Sequence, residues 1–334
     1  MKQAVLVICL LTILSTCLLG IWFWHDMQTQ LHAPLMIDRE IEYTIKPGMS
    51  LQSVSRELGQ LGIIRQPYYL VIEARRQAVA GKLRAGEYVI TPGTTPLQLL
   101  DQFVAGKVKQ YALTLIEGWN FRQMMDAVTS CPDLKQTLHD ANGKTVMTAL
   151  DNPELSPEGQ FFPDTYHFPK NTTDIEFLRR AYNKMQEVLN NEWEQRAENL
   201  PYVRSYDALI MASIIEKETS VPEEREQIAG VFVRRLIKGM LLQTDPTVIY
   251  AMGENYDGNI RRKDLSIDSP YNTYLHTGLP PTPIALPGLA SIKAALHPEE
   301  GNTLYFVAKG DGSHHFSETL SEHNKAVAKY QLGN

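Results

Sequence analysis

Cysteine is scarce, with three in 334 residues. Cys9 and Cys17 lie in an apolar N-terminal run, which leaves Cys131 alone in the rest of the chain. A lone thiol has no partner, so a disulfide framework and a cysteine metal cluster are both excluded. Excess positive charge is lacking too: 32 Lys+Arg stand against 38 Asp+Glu, a net charge of -6. Without a basic face to neutralise phosphates, nucleic-acid binding is set aside. There is no GxSxG nucleophile elbow, no GxxxxGKS/T phosphate loop and no HExxH zinc motif. His314, His315, Glu318 and His323 fit no familiar ligand spacing and read as polar loop and helix-surface residues. No metal and no cofactor is expected. No repeat long enough for a solenoid appears.

What the chain does have is apolar residues, 43% of the total, enough to bury a core in two domains. The N-terminal run sets the expected compartment. Residues 4–24 are uncharged and rich in Val, Leu, Ile, Phe and Trp. A helix of that length, at about 1.5 Å per residue, just crosses a hydrocarbon layer of roughly 30 Å. Trp22 and Trp24 fall at its far end, where aromatic rings favour the interface. Lys2 precedes the run, and no Lys or Arg occurs from His25 to Asp38. This asymmetry places residues 1–3 in the cytoplasm and the remainder outside. A cleaved signal is the competing reading, but no Ala-x-Ala site follows. The Leu14-Ser15-Thr16-Cys17 stretch is a poor lipoprotein box, because the apolar run continues through Leu18 and Leu19.

Residues 25–40 read as a short stalk. From Ile41 the pattern becomes strand, Pro-Gly turn, helix, and it occurs twice, in IKPGMSLQSV and ITPGTTPLQLL. Leu51, Val54, Leu58 and Leu61 predict an amphipathic helix, and further helices are expected over 67–80 and 96–105. Residues 41–110 thus form a small α/β module that resembles a LysM-like glycan-binding unit. A spacer role is the plainer alternative. The remaining residues, 111–334, are expected to form a larger mixed domain, with a strand at 111–116 and a long helix over 173–196. The expected class is therefore α+β: one transmembrane helix, the small module, and a catalytic domain with its core near 206–325.

The chemistry concentrates in that core. Residues 206–219 are almost wholly apolar until Glu216-Lys217-Glu218, which predicts a buried helix capped near Ser205 or Asp207. Glu218 follows Ile210, Met211, Ile214 and Ile215 by eight, seven, four and three residues, so it stacks on their stripe. Glu216 lies about 200° away around the helix. A carboxyl at the end of an apolar stripe loses hydration and keeps its proton, as a general acid requires. On periodicity alone the solvated end of a helix is the better reading, and only the downstream segments reverse it. Downstream, tyrosines, amides and rigid Pro-Gly loops make a lining that suits sugars.

The segments ASIIEKET, GMLLQTDPTVIY, SPYNTY, GLPPTPI and AALHP, in that order, resemble the endolytic murein transglycosylases of the YceG-like family. EGQFFPDTY upstream and LYFVAKGDGSHHFSETLSEHN near the end fit as well. The resemblance implies a membrane-anchored enzyme that cuts the β-1,4 bond between N-acetylmuramic acid and N-acetylglucosamine in nascent peptidoglycan. It would leave 1,6-anhydromuramyl ends and act near the penicillin-binding synthases of a bacterial plasma membrane. It also implies Glu218 as catalytic residue, with both proton transfers open to that one carboxyl. Gln243, Asp245, Thr247, Tyr250, Asn272, Tyr274 and Asn324 are assigned to holding sugars or positioning Glu218. Asp245 as a second carboxylate would give hydrolysis instead. A glycan-binding scaffold that tethers synthases without cutting is the non-enzymatic alternative. The label aminodeoxychorismate lyase, also attached to such sequences, implies a cytosolic pyridoxal-phosphate enzyme and conflicts with the N-terminal run.

Overall fold

The computed structural model describes residues 2–140 and 142–332. The chain divides into two compact units, Met1–Tyr111 and Ala112–Asn334. Both mix helices with short strands, and four two-stranded pairs are present among the described residues.

The first unit opens with α1, Lys2–His32, whose apolar portion is exposed and long enough to cross a membrane. The expected stalk is not separate from this helix. α1 continues without a break to His32, and Met27, Leu31 and Leu35 are buried in the unit's core. Phe23 meets the Tyr69 ring edge-on at 5.4 Å, and the Tyr69 hydroxyl donates to Asp26 at 2.5 Å. Polarity alone gave residues 25–40 the look of a linker. Their few apolar side chains at helical spacing find a partner surface that the sequence does not display.

That surface is built from β1 (Ile41–Ile45), α2 (Leu51–Gln60), α3 (Pro67–Arg76), β2 (Gly86–Ile90) and α4 (Pro96–Ala105). β1 and β2 run antiparallel, with Tyr43 opposite Tyr88. Ser50 caps α2 by accepting from the Ser53 amide, and Thr95 and Gln98 close a reciprocal capping box on α4. α3 stops at Arg76 rather than at the expected Ala80, because the chain turns through Ala78 at φ +55°. Tyr88 and Phe103 pack edge-on at 4.8 Å in a core shared with Val54, Leu58 and Leu70.

The chain enters the second unit within β3 (Gln110–Thr114) and runs on through α5 (Phe121–Ser130), β4 (Leu134–Lys135), α6 (Gly143–Ala149), β5 (Thr165–Pro169), β6 (Thr172–Thr173) and α7 (Asp174–Glu194). It continues with α8 (Ser205–Glu218), a 3₁₀ turn (Pro222–Glu224), α9 (Arg225–Ile237), α10 (Asp245–Met252), α11 (Leu289–Leu296), β7 (Tyr305–Ala308), β8 (His314–Ser317) and α12 (Leu320–Tyr330). α8 is the axis of the unit, and α7, α9, α10 and α11 pack around it. Every residue from Ala208 to Ile215 is buried, so the helix has no solvent face along this stretch. Its one polar member there, Ser213, is satisfied on both sides: the hydroxyl donates to Ile210 O at 2.7 Å and accepts from the Ile284 amide at 3.0 Å. The cap is Arg204, one residue before the expected Ser205. Asp207 reaches back to accept from the amides of Val203 and Arg204, each at 3.0 Å.

Candidate active site

A helix buried along its length delivers its last turn to the edge of the core, and there the two glutamates part. Oε2 of Glu216 accepts from the Gly288 amide at 3.0 Å and from the Ser291 hydroxyl at 2.7 Å. Gly288 is the N-cap of α11, so Glu216 ties that helix start to α8. No side chain fits at Gly288, where a Cβ would stand 1.9 Å from Glu117 Oε1. Glu218 turns instead into a cavity of 340 Å³, which Arg235, Gln243, Asp245, Tyr274, His314 and His323 also line.

The chain before α10 holds Glu218. Thr244 Oγ1 donates to Glu218 Oε2 at 2.6 Å. The Thr244 amide donates to Thr273 Oγ1 at 3.1 Å, and Thr247 Oγ1 lies 2.9 Å from the same hydroxyl. Two further buried threonines, Thr247 and Thr273, thus fix the one that touches the carboxyl. Gln243 sits at φ +52°, an uncommon conformation for a residue with a side chain, and its amide donates to Thr273 O at 3.1 Å. Burial pushes the Glu218 carboxyl above the usual carboxylate range. The nearby Asp245 charge adds to this, while the Thr244 bond, His314 and Arg235 oppose it. The net direction favours a held proton.

The other expected residues divide into two groups. Gln243, Asp245 and Tyr274 line the cavity with Glu218, and the Tyr274 hydroxyl donates to Asp245 Oδ1 at 2.6 Å. Thr247 and Asn272 are fully buried behind it. Asn272 donates to Leu265 O at 3.0 Å and Ile267 O at 2.8 Å, and accepts from the Tyr274 amide at 3.0 Å. It shapes the turn that presents Tyr274. The Tyr250 hydroxyl donates to Glu158 Oε2 at 3.0 Å, away from the cavity lining. Asn324 is exposed on α12, and its neighbour His323 lines the cavity in its place.

Sequence reasoning passed over Thr244, Arg235, Glu224, His314 and His323. The two histidines are not the surface residues they were expected to be; both line the cavity. Arg235, 8% exposed, donates to the carbonyls of Leu304 at 2.7 Å and Leu242 at 2.8 Å, and its guanidinium lies 5.2 Å from the Tyr305 ring. His323 stacks on Tyr305 at 5.3 Å, and burial beside Arg235 lowers its proton affinity. The only hint in the sequence was that the histidines fall inside one of the recognisable segments.

A mixed α+β unit that sets a carboxyl of raised proton affinity in a polar cleft has the design of an enzyme that works through an acid. The particular family follows from comparison: residues 43–329 match the model of the YceG-like family, and the chain belongs to it. It is 33% identical over 311 residues to the endolytic murein transglycosylase of Bacillus subtilis (strain 168), covering 87% of this chain and 84% of that protein. A protein of the same description from Streptococcus pneumoniae serotype 2 is 26% identical over 320 residues, and there the match spans only 57% of the relative. A crystal structure of a yceG-like protein from Listeria monocytogenes superposes with a TM-score of 0.56 at 31% identity, covering 86% of this chain and 99% of that one.

Proposed function

We propose that this chain is an endolytic peptidoglycan lytic transglycosylase, with Glu218 as its acid. Kinship supports the reaction class: relatives named endolytic murein transglycosylase match along most of this chain. The observation that carries the site is the position of Glu218, a carboxyl with raised proton affinity in a cavity lined by tyrosine, amide and carboxylate side chains. The Glu218 carboxyl gives its proton to the glycosidic oxygen between N-acetylmuramic acid and N-acetylglucosamine, and the bond to the muramyl C1 breaks. The muramyl C6 hydroxyl then closes on C1, giving its proton to a base in the cleft and leaving a 1,6-anhydro end. Thr244 steadies the carboxylate that Glu218 becomes, while Gln243, Asp245 and Tyr274 hold sugars. Thr247 and Asn272 support this arrangement from behind.

α1 is a retained anchor in this reading, spanning a bacterial plasma membrane with its N-terminus in the cytoplasm and both folded units outside. The charge asymmetry around the apolar run supports that orientation. Residues 41–110 act as a LysM-like module that engages glycan, and the enzyme works beside the synthases whose strands it cuts.

The full-length protein in detergent, incubated with uncrosslinked nascent glycan strands, tests the proposal. Mass spectrometry should find internal 1,6-anhydromuramyl ends that vanish in Glu218→Gln. Free reducing ends would mean hydrolysis, with Asp245 as the second carboxylate. Intact binding with no cleavage by the wild type would point to the scaffold.

A further inference from the structure

The cavity holds a second pair of titratable groups that the acid step leaves unused. Glu224 ends the 3₁₀ turn six residues beyond Glu218 and is 8% exposed. Its carboxylate grips a single residue of β8 twice: the His314 amide donates to Oε1 at 2.8 Å, and ring Nδ1 lies 2.6 Å from Oε2. A carboxylate can only accept, so Nδ1 carries the hydrogen. Holding both the backbone and the ring of one residue fixes the ring's rotation. Phe306 packs perpendicular to the ring at 5.3 Å. Nε2 has no hydrogen-bond partner among the described residues, and in the neutral ring it is a bare lone pair. His314 lines the same cavity as Glu218, close enough for its charge to act on that carboxyl.

Ring closure needs a base, and Glu218 becomes one only after it has given up its proton. Two neighbouring groups, one holding a proton and one presenting a lone pair, are the usual arrangement for dividing such a task. We propose that His314 Nε2 accepts the proton of the muramyl C6 hydroxyl, that Glu224 is its positioning residue, and that Glu218 serves as the acid. The proposal rests on the lytic transglycosylase reading given above. In balance, the Glu218 proton goes to the glycosidic oxygen, which also takes the electron pair of the broken C1–O bond. The C6 oxygen bonds to C1 and its proton passes to Nε2. The imidazolium is paired with Glu224, and returning the proton to the Glu218 carboxylate restores both groups.

A pH profile distinguishes this division of labour from a single-carboxyl mechanism. The titratable groups that line the cavity with His314 are Glu218 on α8, Arg235 on α9, Asp245 on α10, His323 on α12 and Tyr274; Glu224 is bonded to the ring, and Lys309 to Ser313 at the hairpin. kcat/KM for formation of anhydro ends would be measured with the full-length protein from about pH 4 to about pH 9. A bell is expected: the alkaline limb from loss of the Glu218 proton, the acid limb from protonation of His314. His314→Gln should lower the rate by about 10²-fold and erase the acid limb. His323→Gln should keep that limb. Glu224→Gln, which loosens the hold on the ring, should lower kcat with KM little changed, and added imidazole should partly rescue His314→Ala. A wild type that makes anhydro ends but whose rate climbs to an acid plateau without a second limb overturns the proposal, as does an acid limb that persists in His314→Gln. Should His314→Gln fail to melt cooperatively, Glu224→Gln decides: a kcat equal to that of the wild type overturns the proposal. Absence of anhydro ends from the wild type is a different result, which removes the underlying reading.

Discussion

Thr244 and Glu218 share a 2.6 Å hydrogen bond in which the hydroxyl donates and Oε2 accepts. Such a bond favours the charged carboxylate, against the burial that disfavours it. Thr244→Val should therefore raise the proton affinity of Glu218 further and shift the alkaline limb of cleavage to higher pH. The carboxylate formed on proton donation also loses its donor, so the plateau rate should fall about tenfold, the worth of one bond to a charged group. A pH–rate profile of the variant checks both effects.

Glu216 and Glu218 stand two residues apart and should answer differently to substitution. Glu218→Gln keeps the shape of the site and should lower cleavage by more than about 10²-fold, with an unchanged melting temperature. Glu216→Ala removes both bonds to the start of α11 and should cost about 2 kcal/mol or more of stability. The surviving folded fraction should cleave at close to the wild-type rate. Thermal melts and rates measured on the same samples would separate the two roles.

Glu158 gives a stability that depends on pH. It is 5% exposed, and burial raises its carboxyl from the ordinary 4.5 to about 7, against bonds from the Tyr250 hydroxyl and the Phe121 amide. The folded state therefore binds the proton more tightly than the unfolded chain. The resulting stability is full below about pH 4.5 and is lost as the pH rises through about 7. The span corresponds to about 3 kcal/mol. Glu158→Gln can accept from Phe121 and donate to Tyr250, so it should flatten this part of the stability curve, as chemical denaturation at a series of pH values would report.

Leu31 is 2% exposed in the core of the first unit. Leu31→Ala should destabilise that unit by about 2–5 kcal/mol, as deletions in a packed core do. Limited proteolysis would show cleavage between residues 41 and 105 at lower temperature than in the wild type.

Periodicity served well where a helix has two faces. α2 and α4 follow the expected spacing, and Thr95 and Gln98 form the cap that Thr-Pro-Leu-Gln makes possible. It served less well on α8, because residues 208–215 are buried on every side and no single stripe marks the core. Glu218 stood out by its neighbours in sequence, whereas the anchoring of Glu216 depends on Gly288 and Ser291, more than seventy residues away. Composition could not sort the polar residues of the long motifs either. Asn272 and Thr247 have the donors and acceptors of sugar-binding residues, yet they spend them on backbone carbonyls and a threonine. His314 presents the reverse case. In sequence it is one of two adjacent histidines in a glycine- and serine-rich turn, and only its pairing with Glu224, ninety residues earlier, gives it a fixed orientation.

The continuity of α1 from its apolar run into the core of the first unit has a mechanical meaning. A helix of 31 residues is a rod about 46 Å long, and one end is clamped by Met27, Leu31 and the Tyr69–Asp26 bond. There is no swivel between the apolar segment and the module at residues 41–110. Any tilt or roll imposed on the rod therefore passes as torque to the folded module, which turns with it.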